Sequence, residues 1–168
     1  MIYAEKFNQD AKDKLLKIAK GFKWTSDQID YLIACIMFES NANPQAVNKL
    51  SGATGLIQFM PRTAETLGTT TDLLYRMTVV QQLDYVKDYF KPYAKKVTTL
   101  EDMYMAILYP SAIGLSHDAS IFRKEIQYRQ NAKLDWNNDG KITKEEASRK
   151  VRKIYENGIT KLSSKDGK

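Results

Sequence analysis

Glu39 closes the apolar run Ile36-Met37-Phe38. A carboxylate in that position costs free energy if it stays charged and dry, and desolvation raises its pKa. A carboxyl still protonated near neutral pH can give a proton to a leaving oxygen, which is the work of a general acid. Taken alone, Glu39 reads more simply as a helix end facing water. The residues after it favour chemistry: Glu39-Ser40-Asn41-Ala42-Asn43-Pro44, then Ala46-Val47, then Gly52 through Ala64 in the order Gly-Ala-Thr-Gly-Leu-Ile-Gln-Phe-Met-Pro-Arg-Thr-Ala. Gly52 and Gly55 permit positive φ or a close backbone approach to a ligand. Gln58 offers both a donor and an acceptor, suited to a hydroxyl or acetamido group. Phe59 and Met60 are expected to pack this loop on the core. Ser40 has two readings: a hydrogen bond that orients the Glu39 carboxyl, or a helix-end hydroxyl bonding local backbone.

A second group of oxygen-bearing residues lies near the C-terminus. Asp135-Trp136-Asn137-Asn138-Asp139-Gly140-Lys141-Ile142-Thr143-Lys144-Glu145-Glu146 fits the twelve-residue EF-hand calcium loop at every defining position. Asp135, Asn137 and Asp139 would supply side-chain oxygens and Lys141 its backbone carbonyl. Thr143 would act directly or through water, Glu146 would supply two oxygens, and Gly140 makes the sharp turn. Thr143 and Glu146 also form a capping box for a helix carrying Ala147, Val151 and Ile154. The alternative is an Asx-rich turn with no metal. The loop is single, so the expected role of calcium is structural.

The stretch 39–64 resembles the signature of the soluble lytic transglycosylase family in both order and spacing. The resemblance implies a lysozyme-like helical fold with one catalytic glutamate, Glu39, and bacterial peptidoglycan as substrate. Glu39 would cleave the β-1,4 bond between N-acetylmuramic acid and N-acetylglucosamine and leave 1,6-anhydro-muramic ends. Ser40, Gln58 and Phe59 would serve the substrate. A later family element, usually Ala-Tyr-Asn-Ala-Gly, has only a partial counterpart in Ala106-Ile107-Leu108-Tyr109-Pro110. Tyr109 keeps the aromatic and is expected to line the cleft. The family's Asn is absent, which leaves the subfamily and the sugar contacts open. Tyr128 is a weaker cleft candidate. The chemistry needs no second carboxylate, in contrast to a two-carboxylate glycosidase. Asp72 and Asp84 are candidates for one only by default.

The elements that must position these groups read as helices. Phe7, Ala11, Leu15, Ile18 and Phe22 form one stripe, with Gly21 as its stop. Thr25 to Gln28 fits a capping box, opening a helix with Ile29, Leu32, Ile33, Ile36 and Met37 that is expected to be central and buried. Residues 41–54 read as a loop that could hold a small hairpin, and Pro61 opens a helix. Thr78 caps a helix bearing Val79, Leu83, Val86 and Phe90. Thr99 starts one with Met103, Ile107 and Leu108, broken by Pro110 and Gly114. A further helix is expected over Ser120–Tyr128. The fold class is mainly α: a lysozyme-like transglycosylase fold with a C-terminal EF-hand-like helix–loop–helix. Residues 1–158 form one domain, and 159–168 are expected to be a frayed polar tail.

The 168 residues suit one compact domain, and the net charge of +6 favours a polyanionic partner. The basic residues are scattered, so a nucleic-acid partner is not expected. The cluster at Lys144–Lys153 reads as the solvated face of the last helix. Cys35 is the only cysteine and reads as core; with His117 the only histidine, a zinc site is excluded and a Cys35–His117 nucleophile pair is the weaker alternative. The N-terminus has no basic start followed by an apolar stretch, and no apolar run spans a membrane. The expectation is a monomeric phage-type enzyme made in the host cytoplasm. It would act at the cell wall or periplasm after release, or as part of a virion. The alternatives are a hydrolase of the same fold and a non-catalytic, calcium-dependent wall-binding protein.

Overall fold

The computed structural model describes residues 1–166. It is mainly helical, with α1 Gln9–Phe22, α2 Ser26–Ser40, α3 Pro61–Thr66, α4 Thr71–Tyr75, α5 Val79–Phe90, α6 Leu100–Leu108, α7 Glu125–Asn131 and α8 Lys144–Asp166. One antiparallel pair joins β1, Ser120–Ile121, to β2, Ile142–Thr143.

The helix starts follow the chemistry of their caps. Thr25 accepts from the Gln28 amide while the Gln28 side chain accepts from the Thr25 amide, a reciprocal capping box. Thr78 and Gln81 repeat it at α5. The centre of the molecule is α2 packed against α6 and α8, with α1 lying on α2 and α5. Residues 32 to 36 of α2 are all buried, as are residues 100 to 106 of α6, so neither helix has a solvent-facing side over those turns.

Four local expectations are corrected. α1 does not stop at Gly21; it runs to Phe22, and Lys23 takes the left-handed conformation, φ 58°, with its N–H bonded to Ala19 O and Lys20 O. Phe22 then packs on Trp24, ring centroids 4.9 Å apart. Residues 120–121 are strand rather than helix, because they pair with the backbone of Ile142 and Thr143; α7 starts only at Glu125. The region after Gly158 continues as helix through Asp166. Gly158 is a packing site, since a Cβ there would come within 2.9 Å of Ile2 and Tyr3.

The fourth correction concerns Lys144, which does not solvate the final helix. It is 1% exposed and donates to Asp102 Oδ1 at 2.5 Å and to Leu115 O at 2.9 Å. Asp102 also accepts from the Gly114 amide at 2.8 Å. Burial pushes the Asp102 carboxyl up, but the bonds from Gly114 and Lys144 outweigh it and hold the group below its ordinary value. Beside it, buried Glu101 accepts from Arg152 of α8. Two carboxylates in the first turn of α6 thus fasten that helix to α8 and to the segment after Tyr109.

Candidate active site

Glu39 lies in the last turn of α2, where the chain must leave a buried helix and enter a loop. Asn41 and Ala42 make that exit in the left-handed region, φ 52° and 61°, and the Asn41 N–H bonds Met37 O. Two consecutive non-glycine residues there are uncommon, and such strain persists only where surrounding structure fixes it. The Glu39 side chain is partly buried, and no described residue hydrogen-bonds or ion-pairs its carboxyl. Burial alone therefore sets its pKa, raised from 4.5 to about 7.

Two tyrosines stand near it. Tyr104 of α6 meets Phe38 edge to face at 5.6 Å. Tyr89 of α5 donates to Ala106 O at 2.6 Å and packs edge-on to Phe59 at 6.2 Å. Burial raises both phenols, and the Glu39 charge raises each further. Both therefore stay neutral, and neither can serve as a base beside Glu39.

The loop after Glu39 is held from several sides. Thr54 bridges both Val47 and Phe59, so the expected hairpin is reduced to isolated bridges. Ser40 donates to Ile36 O at 3.1 Å and Leu56 O at 2.9 Å. Its role is to tie the helix end to the loop, not to orient Glu39. Phe59 is 2% exposed and so packs the loop rather than offering surface to a sugar; Met60, expected inside, is 48% exposed. Gln58 sits at φ 54° and its Nε2 donates to Ala46 O and Gly55 O, both at 3.1 Å. Its donor half is spent on the loop, and its amide oxygen is the half left for a ligand.

Gln82 of α5 was not singled out from the sequence. It is fully buried. Its Oε1 accepts from the Leu56 amide at 2.9 Å, and its Nε2 donates to Pro44 O at 2.6 Å and Leu74 O at 2.7 Å. One side chain thus joins both ends of the loop to a neighbouring helix. The same contact explains Gly55, at φ 87°, where a Cβ would lie 2.4 Å from Gln82 Oε1. The available signal in the sequence was a glutamine on the apolar stripe of α5 beside Leu83.

Tyr109 follows α6 and stacks at a tilt on Phe122, 5.0 Å away. Tyr128 does not reach the Glu39 region by its hydroxyl, which donates to Asp135 Oδ2 at 2.7 Å. It belongs to the loop at 135–146. Asp84 is paired with Lys14 at 2.7 Å and Asp72 is exposed, so both are solvated surface groups. Cys35 is fully buried, and its thiol is pushed up by burial and by the Glu39 and Glu101 charges. His117 instead lies 3.5 Å from Glu101.

The 135–146 loop is organised by its own amides. Asp135 accepts from the amides of Asp139 at 3.2 Å and Gly140 at 2.9 Å. Asn137 accepts from Asp139 N and Asp139 from Lys141 N, both at 2.9 Å. Glu146 accepts from Thr143 N and Oγ1 at 2.9 Å. Among the described residues, no three acidic, histidine or cysteine side chains gather as they would around a metal ion. The donors are nonetheless all oxygens in the order a calcium ion takes, with Gly140 at φ 81°. By donor chemistry the residues fit calcium.

A family model described as the Transglycosylase SLT domain matches residues 18–108, more than half of the chain. The match spans α2, the loop, and α3 to α6. No curated protein matches the chain.

Proposed function

Because the chain belongs to the SLT transglycosylase family, whose activity is lytic cleavage of peptidoglycan, we propose that Glu39 is its single acid/base. The observation that carries this is the partly buried Glu39 carboxyl, without a protein partner, whose pKa is raised to about 7. Such a group is still partly protonated at neutral pH. It gives its proton to the oxygen between N-acetylmuramic acid and N-acetylglucosamine as the C1–O bond breaks. As a carboxylate it then takes the proton of the muramic 6-hydroxyl, whose oxygen closes on C1. One proton leaves Glu39 and one returns, no water is consumed, and the product is a 1,6-anhydro-muramic end.

Gln58 supports this reading with a braced amide whose oxygen is left for a sugar N–H or hydroxyl. Tyr109 adds an aromatic edge at the end of α6. For the C-terminal loop we propose calcium held by Asp135, Asn137, Asp139, Lys141, Thr143 and Glu146. The ion would neutralise the carboxylates and stiffen the loop, with no part in the reaction. The setting that suits a basic protein is a polyanionic cell wall, and we assign it to phage-type lysis or wall penetration. Among the described residues no helix is long and apolar enough to cross a membrane.

The test is mass spectrometry of purified peptidoglycan after digestion. Anhydro-muramic ends that vanish with Glu39→Gln support the proposal. Reducing ends carrying an added water would make the protein a hydrolase of the same fold, and intact polymer would make it a binding protein.

A further inference from the structure

α1 and α5 pack side by side, and a groove of about 430 Å³ opens between them. Four lysines line it, Lys14, Lys17 and Lys20 from α1 and Lys87 from α5, with Asp84 as the one acid. The volume lies within the range of small-ligand sites. We propose that this groove holds a phosphodiester-linked polyol polymer of the bacterial cell wall and so anchors the enzyme beside its substrate. The proposal takes its wall setting from the proposed function, but not the chemistry of Glu39.

Charge comes first. Lys87 lies far from the other three in sequence, and the fold brings it to them. Lys14 bonds Asp84 at 2.7 Å and ties the two walls together. Lys17, Lys20 and Lys87 are exposed and form no ion pair among the described residues. Uncompensated charge of one sign along a groove raises the local concentration of anions. Lys14, Lys17 and Lys20 recur at three-residue steps, so each charge advances about 4.5 Å along α1. Such a row suits a chain charged at intervals, whereas a single anion would suit a ring.

Chemistry and shape choose among polyanions. No arginine lines the groove, so it lacks the planar fork that pairs with carboxylates, and ammonium point charges suit phosphates. A nucleic acid needs free aromatic faces for its bases, but the one aromatic here, Phe22, already packs on Trp24 at 4.9 Å. A flat bilayer does not enter a groove between two helices. A narrow chain has room at Gly21, where a Cβ would meet nothing within 4 Å. Position agrees as well. Tyr89, which stands near Glu39, is two residues from Lys87, which sets them roughly 160° apart around α5. The groove therefore faces away from the Glu39 site, and both can be filled at once.

The experiment titrates soluble poly(glycerol phosphate) into the wild type, the triple variant Lys17→Gln/Lys20→Gln/Lys87→Gln, and Gly21→Glu. Kd is expected to rise about a hundredfold in the triple variant, roughly fivefold for each lysine. Gly21→Glu puts an opposing charge into the open space and should raise Kd about tenfold. Residue 21 is helical and unobstructed, so Tm should not fall in that variant. Glu39→Gln should bind as the wild type does. On peptidoglycan freed of phosphate polymers, the triple variant should cleave at the wild-type rate. The proposal is overturned if the wild type does not bind the polymer, if both groove variants bind it as tightly as the wild type, or if the triple variant loses cleavage on the phosphate-free substrate. Single-stranded DNA or phosphatidylglycerol vesicles bound as tightly as the polymer, with the same losses in the variants, would overturn the choice of occupant. Polymer binding without any cleavage would fault the Glu39 reading alone.

Discussion

The loop at 41–60 and the loop at 135–146 both carry polar residues at fixed spacing, but they are held in opposite ways. The first is fixed from outside. Leu56, Ile57 and Phe59 are buried in the core, and Gln82, 26 residues beyond Leu56, pins both its ends. The second is fixed from within, each side-chain oxygen accepting from an amide two to five residues away. A reaction site needs a carboxyl kept partly dry at a set position, which only distant packing can supply. An ion site needs local oxygens and can wait for the ion to complete it. Lys144, at the start of α8, ties the second loop to α6 through Asp102.

Removing the acid should give the largest effect. Glu39→Gln is expected to reduce cleavage by about 10²–10⁴, the usual worth of an acid/base, read as loss of turbidity in a wall suspension. In the wild type, kcat/KM should fall as pH rises past about 7, where the acid loses its proton. Stability should also fall with rising pH, over a lower range. Folded Glu39 keeps its proton to about pH 7, while an unfolded chain releases it near 4.5, so the folded state binds more protons between those values. Its contribution to stability is therefore full below about 4.5 and lost as pH climbs to 7. The loss is of order 3 kcal/mol. Glu39→Gln should flatten that slope, and thermal melts at pH 5 and pH 8 would show whether it does.

Breaking the tie between the second loop and α6 comes next. Lys144→Met leaves buried Asp102 without its cation and should cost about 3–5 kcal/mol, the usual result of removing one partner of a buried pair. Denaturant unfolding measures it. Because the bonds to Asp102 depress its carboxyl, their contribution is present above its unfolded pKa of about 3.8 and is lost as pH falls through the lower folded value. A Lys144→Met protein that unfolds at the wild-type midpoint would remove the link from the account.

Loosening the outer brace alone should cost less. Gln82→Ala removes the side-chain partner of the Leu56 amide and of the Pro44 and Leu74 carbonyls, and with water entering the space it leaves the net cost should be about 1–3 kcal/mol. Activity should fall with it, since the loop after Glu39 loses its anchor. Gly55→Ala clashes with the same side chain. Its cost should therefore shrink when Gln82 is already Ala, and a double-mutant cycle is expected to show coupling of about 1 kcal/mol. Strict additivity would mean that Gln82 does not set the Gly55 conformation.

What could be read in the sequence follows the same division. The capping boxes at Thr25 and Thr78, the apolar period of α2 and the Pro61 start are local signals, and each is found in place. The spacing from Glu39 to Gln58 was legible as a motif, and the family match confirms the region. The packing of Phe59 and a local backbone bond for Ser40 were legible, but the Ser40 bond to Leu56 O and the Tyr128 bond to Asp135 were not, because each depends on a partner in another segment. Lys144 looked like surface because its neighbours in sequence are charged, whereas its partner lies 42 residues earlier. Ser120 and Ile121 became strand for the same reason, since their pairing partners are 21 or more residues on.

The smallest expected effect tests the inner-held loop. Its amides already bond its own side chains. Calcium would add the convergence of Asp135, Asp139 and Glu146, which would otherwise repel one another as they approach. At a free concentration ten times Kd, a ligand that binds only the folded state adds about 1.4 kcal/mol, or roughly 3–6 °C in Tm for a chain of this size. Melts with calcium and with a chelator should differ by that much, and Glu146→Gln should narrow the difference by removing a charged donor from the twelfth position. The Glu39→Gln protein should keep the full calcium shift, because nothing in its loop has changed. Equal melting temperatures with calcium and with chelator would mean that the turn is complete as its own amides make it, and that the oxygen pattern serves the backbone alone.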